Sequence, residues 1–156
     1  MIALTLIASL SLGGVDTLSK QSLQGLNFKG PTPWQKSTPD ENSIQWNEPA
    51  SGAEFAVSVF PVDPVRPAKL CVKQLVEALG SEGFTALTLG AQPASKKVVV
   101  DFVGEDKNEA NKVSTTTIVG CNGQKKWVLT WTGKVSMSAR FGPMLKRVMD
   151  SITYGK

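Results

Sequence analysis

Cys121 is followed by Asn122-Gly123, a dipeptide that favours a tight hairpin turn, and then by Lys125 and Lys126. A cysteine in that setting could serve as a nucleophile, a metal ligand or one half of a disulfide. The chain contains no histidine, which removes Ser-His-Asp and Cys-His catalysis and every imidazole ligand. Cys71 is the other of its two cysteines, so neither a four-cysteine zinc site nor an iron–sulfur cluster can form within one chain. Carboxylate chemistry, a lysine base and Mg²⁺ or Ca²⁺ binding stay formally open. Asp63, Asp101 and Asp150 are isolated in sequence, without the spacing of an acid/base couple. Asp101 comes nearest to burial, amid Val98-Val99-Val100 and Phe102-Val103, although a place on a polar strand face suits it better. Glu105-Asp106-Lys107-Asn108-Glu109 supplies oxygen ligands but lacks the order and spacing of a calcium loop. There is no phosphate-binding glycine motif, no GxSxG and no N-x-[ST] acceptor. No cofactor and no catalytic activity are expected.

Those residues must be held by elements, and hydrophobic periodicity outlines them. Leu26–Trp34 reads as a short strand entering a proline-rich corner, and Ser43–Asn47 as a second strand. Phe55–Val62 alternates, with Phe55, Val57 and Val59 on one face and Ala56, Ser58 and Phe60 on the other. Val72, Leu75, Val76 and Leu79 recur at helical spacing and predict a helix over 67–79. Strands are expected at 84–89, 97–103, 112–119 and 125–132. A final helix is expected near 142–152, with Phe141, Leu145, Val148 and Ile152 on one stripe and Pro143 in the first turn. Trp127, Leu129 and Trp131 share a strand face and read as core. Of Trp34 and Trp46, one is expected over the sheet and the other lining a shallow groove.

Strands 55–62 and 84–89 flank a helix and should run parallel through a right-handed crossover. Apolar residues on both faces of several strands call for cover on each side, which gives an α+β sandwich with a central sheet between helices. Following the chain ends puts the start of helix 67–79, and with it Cys71, at the pole where strand 112–119 finishes near Cys121. Two thiols at one pole can meet within the Cα separation of about 7 Å that a disulfide allows. Cys121 is therefore expected to pair with Cys71. The same layout gathers Arg66, Lys69, Lys73, Lys96, Lys97, Lys125 and Lys126 into a cationic rim, with Glu82, Glu105, Asp106 and Glu109 at the far pole. Strand-end charges are commonly no more than solvated. The sharper reading is a docking edge for an acidic protein or an anionic surface. Nucleic acid is not an expected partner, because no groove-reading helix or known module is present.

Residues 2–12, IALTLIASLSL, form an apolar run too short for a bilayer span, which takes about 20 residues. The run fits the apolar core of a secretory signal peptide, with small residues at Ser11-Leu12-Gly13 for cleavage. No lysine or arginine precedes it, so either the true start lies upstream or the amino terminus supplies the positive charge. A buried first strand or helix is the competing reading. The division expected is a signal peptide at 1–13, a loose polar leader at 14–23 and one domain over 24–156, exported to the periplasm or medium without a transmembrane segment. A chain of 156 residues, 41% hydrophobic and 19% charged, suits one globular domain. Its net charge of +4 is a mild bias toward anionic partners.

Phe28-x-x-Pro31-x-x-Trp34, the strand 55–62, the helix leading to Phe84, the three-strand meander and the closing Phe141-x-x-x-Leu145-x-x-Val148-x-x-Ser151-Ile152 occur in an order that resembles the PsbP-like family. That family comprises the photosystem II extrinsic protein and many non-photosynthetic bacterial relatives, and the resemblance covers residues 24–154. It implies a mostly antiparallel sheet between helices and a non-catalytic adaptor role, with no shared catalytic residues. Without histidine, any histidine-based site of the photosynthetic members is missing here. A carrier of a small apolar or lipid ligand between sheet and helix is the second reading, and a carboxylate- or lysine-based enzyme the third.

Overall fold

The computed structural model describes residues 17–81, 98–105 and 113–154. The elements are β1 (Thr17–Leu23), β2 (Leu26–Thr32), β3 (Gln35–Asp40), β4 (Ser43–Glu48), β5 (Ala53–Pro61), α1 (Ala68–Ser81), β6 (Val98–Glu105), β7 (Val113–Cys121), β8 (Lys125–Lys134), α2 (Ser138–Asp150) and β9 (Thr153–Tyr154). The expected strand at 84–89, the apolar run 2–12, and the side chains of Glu82, Lys96, Lys97, Asp101, Glu105, Asp106 and Glu109 lie outside the described residues.

The main sheet has the strand order β3-β4-β5-β8-β7-β6, and every described pairing is antiparallel. Alternation within its strands decides which side each residue faces. Trp127, Leu129 and Trp131 of β8 lie opposite Val59, Val57 and Phe55 of β5, and Ile44 and Trp46 of β4 continue the rows. These side chains, with Ile118, form the buried face of the main core. It is covered by Leu26 and Phe28 of β2, by Trp34, and by Phe141, Met144, Leu145 and Val148 of α2. Phe141 stands edge-on to Trp34, with ring centroids 5.3 Å apart, and tilted against Trp131 at 5.7 Å. The opposite sheet face carries Val119 and Cys121, and α1 packs there on β6 and β7. The helices thus cover opposite faces of an antiparallel sheet, an α+β sandwich as expected.

β5 is hydrogen-bonded on both edges by the antiparallel strands β4 and β8, and the strand 84–89 expected to run parallel to it lies outside the described residues. Three local readings change. Part of the supposed loose leader is strand β1, which pairs with β2 along its full length; β2 in turn pairs with β9, making a small three-stranded sheet on the α2 side. Trp34 and Trp46 are both buried in the core, so neither lines a groove. Helix α2 starts at Ser138 after a single 3-10 turn, Val135–Met137, which places Pro143 inside the helix rather than in its first turn. Edge strand β3 is exposed along its whole length and its register against β4 breaks between Ser37 and Asp40.

The β4–β5 turn shows how one carboxylate holds a reversal. Glu48 Oε2 accepts from the Ser51 amide at 2.7 Å and from the Ser51 hydroxyl, while Gly52 N–H donates to the Glu48 carbonyl at 2.9 Å. The Ser51 hydroxyl bond is the main reason the Glu48 carboxyl titrates below its ordinary value; desolvation works against it, and the Ser51 amide and Arg140 assist. A carboxyl with a lowered folded-state pKa stabilises the fold above its unfolded pKa and loses that contribution as pH falls through the folded value. Glu48→Gln is therefore expected to lower the melting temperature by about 1–3 °C at pH 7. That gap should close as pH falls below the ordinary glutamate range and through the lower folded-state value. Thermal melts of both proteins across that range test it, and a gap constant with pH would refute the assignment.

Candidate binding surface

The pole where β7 hands over to β8 is built around Gly123. Its φ of +96° belongs to glycine, and a Cβ there would sit 2.6 Å from the Arg66 carbonyl oxygen. Asn122 Oδ1 accepts from the amides of Gln124 at 3.0 Å and Lys125 at 2.8 Å, closing the turn. The segment leaving β5 is laced onto that turn. Val62 N–H donates to the Gln124 carbonyl at 2.8 Å and Arg66 N–H to the Gly123 carbonyl at 3.2 Å. The chain then enters α1, with Leu70 and Cys71 amides bonding back to the Pro67 carbonyl.

Cys71 and Cys121 form a disulfide with a Cα separation of 6.2 Å. The cysteine beside the hairpin is a staple, and it lies in a small apolar cluster of its own with Val62, Val72 and Val119. Leu75, Val76 and Leu79 of α1 pack against that cluster, as their spacing predicts. Gly123 N–H points at the Cys121 sulfur at 3.3 Å, so the turn and the staple are one structure.

The expected cationic rim divides once hydrogen bonds are followed. Arg66 is not a free rim residue. Its guanidinium donates to the carbonyls of Pro64 and Asp63, each at 3.1 Å, and to the Gln74 side chain, clamping loop to helix. Lys125 reaches the carbonyl of Gln24 in the β1–β2 turn and ties the small sheet to this pole. Lys73 faces Glu77 at 3.8 Å across an exposed helix turn, a weak pair. Lys69 is exposed beside it on α1. Lys126 lies on the α1 face of the sheet, opposite Phe60 on one side and Cys121 on the other. The rim therefore comes down to Lys69, Lys73 and Lys126 among the described residues, with Lys96 and Lys97 outside them.

Three side chains that charge-based reading passed over stand at the same pole. Phe60, Val65 and Leu70 are exposed although apolar. For Val65 the available signal was its place between Pro64 and Pro67 in a proline-broken stretch, which turns Val62 inward and leaves Val65 outside. Asp150 is engaged by Lys146 at 3.0 Å and Asp63 is exposed in the loop. Among the described residues no three Cys, Asp or Glu side chains gather as a metal ion would need, and no helix is long and apolar enough to cross a membrane.

No family model and no curated protein matches the sequence. Solved structures do match in shape. The cyanobacterial PsbP of Synechocystis sp. PCC 6803 superimposes with a TM-score of 0.62 at 11% identity, over 95% of this chain and 98% of that one. The Saccharomyces cerevisiae Ran-binding protein Mog1p does so with a TM-score of 0.57 at 10% identity, over 89% and 96%. A Bacteroides thetaiotaomicron protein matches with a TM-score of 0.61 at 14% identity, over 85% of this chain but 46% of its own, so this chain spans about half of that relative. Strand order, the helix on each face and these superpositions agree: the chain has the PsbP-like fold.

Proposed function

We propose that this chain is an exported, non-catalytic binding domain that docks an acidic partner through the cationic pole beside Cys71–Cys121. The observation that carries the reading is the division of the basic residues there. Arg66 and Lys125 are consumed in holding the pole together, whereas Lys69 and Lys73 are exposed on α1, the latter weakly paired with Glu77, and Lys126 is half-buried on β8 beside the staple. A charged edge held on a rigid support accelerates and orients encounter with an opposite charge. Mog1p, which shares the fold, is a Ran-binding protein, so this scaffold is used for protein binding elsewhere. A disulfide and the apolar run 2–12 both favour export. Cleavage near Gly14 would leave all of β1 in the mature chain, and with β1 the domain begins by Thr17.

Reversal of these three lysines, Lys69→Glu, Lys73→Glu and Lys126→Glu, is expected to reduce partner capture from the native envelope or medium at least about tenfold. A control with Lys20→Glu and Lys29→Glu on the small sheet should capture normally. Equal capture by the pole variant and wild type would exclude the pole. N-terminal sequencing of the processed protein should begin near Gly14, and a chain retaining residues 2–12 would overturn export by cleavage.

A further inference from the structure

Four large apolar side chains are exposed among the described residues, and three of them, Phe60 (39%), Val65 (69%) and Leu70 (46%), fall within one stretch of eleven residues. They converge in space as well. Phe60 and Lys126 are direct cross-strand neighbours, Cys121 is the next residue in that row, and the disulfide joins it to Cys71 beside Leu70. Val65 precedes Arg66, whose amide is bonded to the turn at Gly123, so it stands over the same corner. Leu70 lies on the side of α1 away from the sheet, flanked by Lys69 and Lys73. Carboxylates also stand at this pole: Asp63, Glu77, which is already paired with Lys73, and Asp40 and Glu41 in the β3–β4 turn, where the Asn42 carbonyl accepts from Val59 N–H next to Phe60.

We propose that this corner seats on an anionic phospholipid surface, with Val65, Leu70 and Phe60 entering the headgroup boundary and Lys69, Lys73 and Lys126 meeting the phosphates. The inference rests on the docking reading above and names the class of partner. Apolar side chains standing well out of a stapled corner suit a soft surface that closes around them, whereas a protein partner would need a pocket for each. Apolar residues with lysines beside two of them, Lys126 beside Phe60 and Lys69 and Lys73 beside Leu70, combine the two attractions that hold peripheral proteins on membranes, apolar burial and attraction to anionic lipid.

The probe is unilamellar vesicles of phosphatidylcholine with or without an equal part of phosphatidylglycerol, sedimented with the disulfide-bonded protein at low salt. Wild type is expected to sediment with the anionic vesicles and to stay in solution with the neutral ones. Val65→Ser with Leu70→Ser should weaken partition about tenfold with an unchanged melting temperature. The triple lysine reversal should weaken it at least about a hundredfold. All four native tryptophans are buried, so a Val65→Trp reporter should shift to the blue only on anionic vesicles. No sedimentation, an unshifted reporter, or partition indifferent to the Val65/Leu70 change would each overturn the lipid assignment. If capture of an acidic protein stayed lysine-dependent in that event, the docking pole would stand without the membrane. Loss of both would remove the docking reading too.

Discussion

Gly120→Val is expected to leave little folded protein at 37 °C. Gly120 of β7 lies directly opposite Trp127 of β8, and a Cβ there would fall 2.1 Å from Trp127 Cζ2 and 2.2 Å from Cε2. The ring has nowhere to retreat, because Trp127 is fully buried in the main core. Two more tryptophans rest against glycines in the same way: Trp46 against Gly30, where a Cβ would be 2.5 Å from Cζ2, and Trp131 against Gly133 at 2.7 Å. The absent side chains are therefore part of the core's shape. Overpacking of a tight interior costs about 1–3 kcal/mol, and a branched side chain at such a distance exceeds it. Gly120→Ala should lose about 2–3 kcal/mol in denaturant melts. Trp127→Leu should recover part of the valine variant's loss, since the two sites touch. Gly142→Ala, where the added methyl meets open space in helix α2, should be neutral or stabilising by up to about 1 kcal/mol. A Gly120→Ala protein as stable as wild type would refute the glycine-floor account.

The disulfide carries the second large effect. Replacing Cys71 and Cys121 together by alanine reopens a loop with a sequence separation of 50. In the chain-entropy model that lowers stability by about 4 kcal/mol, or about 10–15 °C in melting temperature for a domain of this size. The loss should also be uneven. Of α1 only Cys71 and Val72 are fully buried, in a cluster separate from the main core, whereas β4, β5 and β8 are locked by aromatic packing. Amide exchange should therefore accelerate most in α1 and in the 62–67 segment laced to Gly123, with β5 and β8 changing least. A uniform acceleration, or a melting temperature within about 3 °C of wild type, would show that the staple is dispensable.

Much of this was visible in residue spacing, and the exceptions have physical causes. Alternation in Phe55–Val59 and Trp127–Trp131, the helical stripes of α1 and α2, and the Asn122-Gly123 turn located the sheet, both helices and the meeting of the cysteines. β1 and β3 were missed because Thr17–Leu23 and Gln35–Asp40 bury too little to show a period; pairing with distant strands makes them strands. The start of α2 is hard to read because Pro143 suits the first turn of a helix, while Ser138–Gly142 holds no apolar run to point to an earlier start. Charge by residue type selects Lys69, Lys73 and Lys126 as candidates for the proposed docking edge. It could not foresee that Arg66 and Lys125 are tied up by backbone carbonyls, since that depends on where loops from other parts of the chain come to rest.

Strand β3 closes one side of the main sheet with a broken register, full exposure, a lysine at Lys36 and a proline at Pro39 that has no N–H to offer. A neighbouring copy approaching that border finds no continuous ladder to extend. Crowded copies consequently have no template there for fibril growth, and a protein concentrated on a two-dimensional surface could reach high density while remaining a set of separate molecules along that border.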